Sequence, residues 1–384
     1  MNVVYAKEAP PEAYSKSLFL AGPTPRSSQV ASWRPEALEL LAASGYDGVV
    51  FVPEPRDGIW QGDYEEQIAW EEACLHRADC ILFWVPRDLQ TLPAFTTNVE
   101  FGVWHASGKV VFGAPDEAPK NTYLKYYAAK CHVPTADSLV DSVAAALKMI
   151  GPGALRRGGE REIPFGIWKT ASFQQWYRAQ TQAGNRLDGA RVVWTFRVGP
   201  EGGFLLYWAL HVNVYVASEG RNKSNEVVLA RPDISTVMMY RRSDPLEDSE
   251  LVLIREYRSS AVTPDGFVRE IPGGSSFKEQ ADPLELAAKE CEEETGLAIA
   301  AHRIRPHAPR QLVAPLSAHR AHLFSVEITA DELALLRAQG NVAYGNPEET
   351  ERTYVQVVKL RDVLARSEVD WSMLGMILSV LMQS

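Results

Sequence analysis

The stretch that decides the fold lies between Ser17 and Pro115, where SLFLAGP (17–23), GVVFVPEP (48–55), CILFWVP (80–86) and KVVFGAP (109–115) stand as short apolar runs separated by amphipathic segments. Runs of this length that end in Gly or Pro read as buried strands. The segments between them, about 34–43, 64–77 and 97–106, repeat their apolar residues at helical spacing. Alternating strand and helix with short joints predicts parallel βαβ units and a sheet covered on both faces, an α/β domain. The periodic segment DSLVDSVAAALKMI (137–150) closes it, so this domain is expected to span 1–150.

Beyond it, GPGALRRGGERE (151–162) has glycines and arginines but no apolar pattern, which predicts a linker. The texture then changes to ARVVWTFRV, GFLLYWALHVNVYV, NEVVLARP, ISTVMMYR, ELVLIREYR and FVREIP, followed by one helix over 282–295, the strands AHLFSVEI and RTYVQVVKL, and a last helix from about Asp370. Strands with few helices predict an α+β domain over 163–384. Trp168, Trp176, Trp194 and Trp208 gather early in it, as a core, a dimer surface or a stacking platform.

At 384 residues with 46% hydrophobic and 23% charged, the chain has the composition of a globular protein of about two domains. Its net charge of −10 argues against a basic face for nucleic acid or anionic membrane. Cys74, Cys80, Cys131 and Cys291 have neither disulfide nor zinc spacing. Lys7, Glu8 and Glu12 stand where an export signal would be apolar, so a cytoplasmic location is expected. The C-terminal WSMLGMILSVLMQS is shorter than the ~20 apolar residues a membrane span needs and is expected to be core.

The second half carries one helix with unusual chemistry. Asp282 before Pro283 reads as an N-cap and Gly296 as a terminator. Glu290, Glu293 and Glu294 fall at i, i+3 and i+4, so three carboxylates share a face at a cost in repulsion. Divalent cations relieve that cost, and hard oxygen ligands suit Mg²⁺ or Mn²⁺. The plain alternative is a solvated acidic face. The order Lys289, Glu290, Cys291, Glu293, Glu294, Gly296, Leu297, with Gly274 as an opening glycine, resembles the Nudix box. REYR (255–258) and Glu270-Ile-Pro-Gly-Gly extend the resemblance to ADP-ribose pyrophosphatase-like Nudix hydrolases. It implies a Nudix fold, Mg²⁺ or Mn²⁺ on Glu290, Glu293, Glu294 and Glu351, Glu349 as base, and substrate contacts from Arg258 and Glu270. Two departures stand out: Lys289 replaces an arginine, and Gln280 or Ala281 stands where the box has a further glutamate.

The first half places SLFLAGP at a strand end, Glu71 and Asp79 around the end of a helix, and Glu100 in TTNVEFG at the opening of the next helix. Taken singly, these are a surface acid, a cap and a charge favoured by a helix dipole. In order they resemble the nucleoside 2-deoxyribosyltransferase-like family, which implies a Rossmann/flavodoxin-like sheet. By that resemblance Glu100 is the nucleophile, and Asp79 or Glu71 binds the sugar or protonates the leaving base. Gly22, Pro23, Thr97 and Asn98 would line the substrate site, with Thr96 beside them. Phe19 stands where the family has a tyrosine.

Together the two resemblances imply a bifunctional nucleotide-processing hydrolase, acting on a small-molecule nucleotide such as ADP-ribose and as a homodimer. The alternatives are a nucleotide sensor with degenerate sites, or a Nudix hydrolase with a structural N-terminal domain.

Overall fold

The computed structural model describes residues 1–25, 29–60, 63–199, 202–276, 281–345 and 351–383. The chain forms two compact units, Met1–Val228 and Leu229–Ser384. In the first, β1 (Asn2–Tyr5), β2 (Ser17–Ala21), β3 (Val49–Val52), β4 (Cys80–Trp84), β5 (Val110–Gly113) and β6 (Thr135–Ala136) form a sheet in the order β1-β3-β2-β4-β5-β6. Every pairing in it is parallel. The connections carry α1 (Arg34–Ala43), α2 (Tyr64–Arg77), α3 (Phe95–Trp104), α4 (Thr122–Lys130) and α5 (Leu139–Ile150). The period of two along β2 decides which side each residue serves. Phe19 and Ala21 pack with Phe101 and Leu124 on the α2–α4 side, whereas Leu18 and Leu20 pack with Leu41 and Val143 of α1 and α5.

This is the α/β sheet that the apolar runs predict. Its order reverses between β2 and β4, and in open α/β sheets the crevice beyond the strand ends at such a reversal is where ligands bind. Gly22 sits there with φ +147°, and a Cβ on it would lie 2.2 Å from the Trp84 carbonyl oxygen. Only glycine fits that close approach.

The 151–162 stretch, expected as a linker, lies inside the first unit. Gly158–Glu162 forms a 3₁₀ helix, Arg156 bridges to Tyr14, and Arg161 donates to the Glu12 carbonyl at 2.8 Å. Glycine here serves packing rather than looseness, because a Cβ on Gly159 would fall 2.2 Å from the Gly189 nitrogen. Then follow α6 (Phe165–Trp168), α7 (Ala171–Gln182) and a three-stranded sheet of β7 (Arg186–Val198), β8 (Phe204–Val216) and β9 (Arg221–Ala230). Trp168, Trp176 and Trp208 surround Phe173 as core, while exposed Trp194 stacks on Phe196.

The second unit is mostly strands. They are β10 (Ile234–Arg241), β11 (Glu250–Tyr257), β12 (Phe267–Glu270), β13 (Gly273–Gly274), β14 (Arg305–Pro306), β15 (Arg310–Gln311), β16 (Arg320–Glu327), β17 (Ala343–Tyr344) and β18 (Thr353–Lys359). Among the described residues they make one mixed sheet with the path β14-β16-β10-β11-β18-β17. Helices α8 (Pro283–Thr295) and α9 (Ala330–Ala338) pack Ala287, Cys291 and Leu336 on one face. Helices α10 (Leu360–Ala365) and α11 (Trp371–Leu381) pack Val363, Met373 and Ile377 on the other. No described helix is long and apolar enough to cross a membrane.

Candidate functional site

In the first unit the sheet reversal is organised by a buried arginine. Arg34, 1% exposed, donates from Nε to the Leu20 carbonyl at 3.0 Å, from Nη2 to Gly22 at 2.8 Å, and from Nη1 to the Glu54 carboxylate at 2.5 Å. It fixes the strand-to-loop turn by satisfying carbonyls that leave the sheet. The Pro23 carbonyl accepts from the Trp33 indole at 3.2 Å. The expected Gly22 and Pro23 thus form the rim of the crevice, held from behind.

Glu71 on α2 and Glu100 on α3 face one another electrostatically. Burial, and next the charge of Glu71, push the Glu100 carboxyl up to about 8, with Arg34 pulling the other way. Burial likewise raises Glu71, against a hydrogen bond from Gln67 and the charge of Arg34. Gln67 Nε2 donates to Glu71 Oε1 at 2.6 Å. Two carboxyls that share a poorly solvated site hold a proton between them at neutral pH. Buried polar atoms around them lack partners: Gln67 Oε1 and Thr97 Oγ1 have none. Thr97 precedes Glu100 by three residues on α3, so the two share a helix face.

Other expected residues sit elsewhere. Glu100 is not at the helix opening: α3 begins at Phe95 after Ala94 in a left-handed conformation, which puts Glu100 in the second turn, past the free N–H groups. Asn98 is exposed, and its Oδ1 accepts from Arg87 Nη2 at 2.6 Å. Asp79 is not brought to the pair. It precedes β4, at the opposite end of the strand from the crevice, where it accepts from Ser17 at 2.9 Å and is ion-paired with Arg156, both side chains almost wholly buried. Phe19 is fully buried, its ring tilted against Trp70 at 6.5 Å. Sequence reasoning missed Arg34, Gln67 and Arg87, for which no local signal exists beyond their proximity to helix starts and strand ends.

In the second unit the carboxylate helix forms as expected. The Asp282 side chain accepts from the Leu284 and Glu285 amides, and Gly296 ends the helix in the left-handed region at φ 69°. Glu294 is 1% exposed and accepts from the Gly273 amide at 2.8 Å. It forms a cluster with Glu256 and Glu351, their ligand atoms within 4.8 Å of one another. Burial pushes Glu256 up to about 7, with Arg258 opposing. Burial also raises Glu294 well above the usual range against the Gly273 hydrogen bond, and the charges of Glu290, Glu351 and Glu256 add to it.

Glu294 Oε1 is buried without a hydrogen-bond partner, and Glu256 Oε2 is buried with the Arg258 guanidinium 2.7 Å away. Three converging carboxylates, one of them with an orphaned buried oxygen, fit a hard divalent cation. Glu290 adjoins the cluster: a Cβ on Gly274 would sit 2.5 Å from Glu290 Oε1, so the glycine makes room for it. Glu293 is turned to solvent and pairs with Lys289 at 2.8 Å. Arg258 bridges Glu256 at 2.7 Å and Glu270 at 3.3 Å. Glu349 and Gln280 lie outside the described residues. Glu256, absent from the expected ligands, stands at a buried position of β11 within the REYR motif, which was a readable signal.

Residues 15–118 match the family model described as nucleoside 2-deoxyribosyltransferase like. That stretch carries Gly22, Arg34, Glu71 and Glu100, and the similarity indicates an enzyme domain that processes nucleosides or nucleotides. A search of curated proteins gave no match.

Proposed function

We propose that the chain is a two-site nucleotide-processing hydrolase, in which residues 1–228 cleave an N-glycosidic bond and residues 229–384 hydrolyse a pyrophosphate with Mg²⁺ or Mn²⁺. The observation that carries the first part is the coupled pair Glu71 and Glu100 at the sheet reversal, inside the matched stretch. Cleavage of an N-glycoside asks for an ionised carboxylate at the anomeric carbon and an acid for the departing nitrogen. Glu100 passes its proton to Glu71 and attacks the anomeric carbon as a carboxylate, the C–N bond breaks, and the base leaves with that same proton. Water then hydrolyses the glycosyl ester. Gln67 orients Glu71, and Arg34 offsets negative charge on both acids. Asp79 takes no part.

The second part rests on the Nudix-like motif together with the Glu256, Glu294 and Glu351 cluster. A divalent cation there would supply charge neutralisation on the phosphates and an acidified water. Glu256, Glu294 and Glu351 would hold it, with Glu290 beside them and the Arg258–Glu270 pair positioned for substrate. ADP-ribose is the substrate proposed for residues 229–384, and NAD the compound on which the two halves would act in turn, first at its N-glycosidic bond and then as ADP-ribose. A homodimer is proposed with this reading.

One observation favours a sensor instead: Phe19 puts a buried phenyl ring where the related family has a hydroxyl. Mass spectrometry of products from NAD, ADP-ribose and nucleoside monophosphates with Mg²⁺ decides between them. Free base lost in Glu100→Ala, and AMP lost in Glu294→Gln, are expected. Tight binding of nucleotide without any product would leave the sensor.

A further inference from the structure

A second recess in the first unit lies away from the carboxylate pair. Arg77 ends α2, six residues and so about 9 Å of helix beyond Glu71. A recess of about 450 Å³ opens there, lined by His76 and Arg77 of α2, Glu162, and Arg191, His211 and Asn213 of the β7–β8 hairpin. Its volume is in the range of small-molecule sites. The hairpin register puts Arg191 opposite His211 and Gly189 opposite Asn213, so these four positions share one face of the ribbon. Gly189 contributes no side chain, and the glycine contact at Gly159 seats the hairpin close against the 3₁₀ helix. The recess is therefore built by packing.

Its charge is unbalanced. Among the described residues neither Arg77 nor Arg191 has an ion-pair partner, although the chain as a whole is acidic. The carboxylate in the recess, Glu162, is engaged by the Ala190 amide at 2.7 Å. Glu72 reaches only His76, at 3.9 Å. Burial and then the Lys109 charge hold His76 below its ordinary value, with Glu72 opposing and Arg191 adding to the depression. Two guanidinium groups, two imidazoles and the Asn213 amide line one concavity that has a single carboxylate, so the cationic groups outnumber it.

We propose that this recess binds the phosphate groups of a phosphorylated small molecule, at a site separate from Glu100. Arginine presents paired N–H donors that match phosphate oxygens, and a concave wall strengthens their field. The side chains of His211 and Asn213 would complete the shell. The inference does not rest on the glycosidase reading.

The test is titration calorimetry of the full chain, freed of divalent cations with a chelator, using inorganic pyrophosphate, AMP and adenosine as probes. Pyrophosphate and AMP are expected to bind and adenosine not to. Arg77→Ala and Arg191→Ala should each weaken pyrophosphate by about tenfold or more, the range of one charge-assisted hydrogen bond. Both side chains are exposed and, among the described residues, without an ion-pair partner, so an unchanged melting temperature shows that the variants fold. Glu100→Gln should leave pyrophosphate binding as it was. Absence of binding by pyrophosphate and AMP at millimolar concentration overturns the proposal. So does a loss of affinity in Glu100→Gln with none in the arginine variants, which would put the phosphate in the sheet crevice.

Discussion

Replacing Glu100 by Gln should stabilise the protein, and by an amount that depends on pH. Burial and Glu71 raise the Glu100 carboxyl from an ordinary 4.5 to about 8. Below about pH 4.5 the group is protonated both folded and unfolded and costs nothing. As pH rises, the unfolded chain releases its proton while the folded chain retains it, so stability falls until about pH 8 and is then level. At ~1.4 kcal/mol per unit, the folded state at about pH 7 bears a penalty of roughly 3 kcal/mol. Glu100 retains some solvent contact, which reduces the expected gain in Glu100→Gln to about 1–3 kcal/mol. Thermal unfolding at about pH 4.5, 6, 7 and 8 measures it, at roughly 2–4 °C per kcal/mol for a unit of this size. Removing Glu100 also relieves Glu71, so the double variant with Glu71→Gln should gain less than the sum of the two singles. A gain independent of pH, or strict additivity, would refute the shared-proton account.

Three further outcomes are expected. Asp79→Ala should cost about 3–5 kcal/mol in urea denaturation, because it strands the Arg156 guanidinium in the core, while a milder loss would mean the ion pair is solvated. Gly22→Ala, with its Cβ driven against the Trp84 carbonyl, should cost at least about 1–3 kcal/mol and abolish base release without touching Mg²⁺-dependent pyrophosphate hydrolysis, read as free base and AMP in one assay. Mg²⁺ at 100 times its dissociation constant should stabilise its unit by about 2.7 kcal/mol, and Glu256→Gln should remove most of that rise in the thermal melt.

What the sequence disclosed and what it hid divide along the range of the interactions. Strand and helix order from Ser17 to Ile150 was legible because apolar runs and helical periods are local. The α8 cap was legible for the same reason, since Asp282, Pro283 and Gly296 act within a few residues. Helix α7 escaped because Phe173 and Trp176 lie among polar residues and amid strand-rich sequence. Asp79 read as a site residue because its partner, Arg156, is 77 residues away in a stretch whose glycines suggested a joint. Glu293 and Glu256 were exchanged as cluster members by geometry: helix spacing alone groups Glu293 with Glu294, but the sheet side of α8 selects Glu294, and β11 supplies Glu256.

The burial of Arg156 has a practical meaning for dissecting the gene. Its guanidinium sits over the Phe165 ring at 4.1 Å and donates to the Ile163 carbonyl at 2.6 Å, so it ties the sheet to the helices that follow. A fragment cut at residue 150 would lose the countercharge of Asp79 and uncover Phe165 and Ile167 contacts at once. Such a fragment should express as insoluble material, whereas one ending at 228 keeps both. Deletion boundaries chosen from the family match at 118, or from the glycine-rich stretch, would therefore misreport a folding failure as a lack of activity.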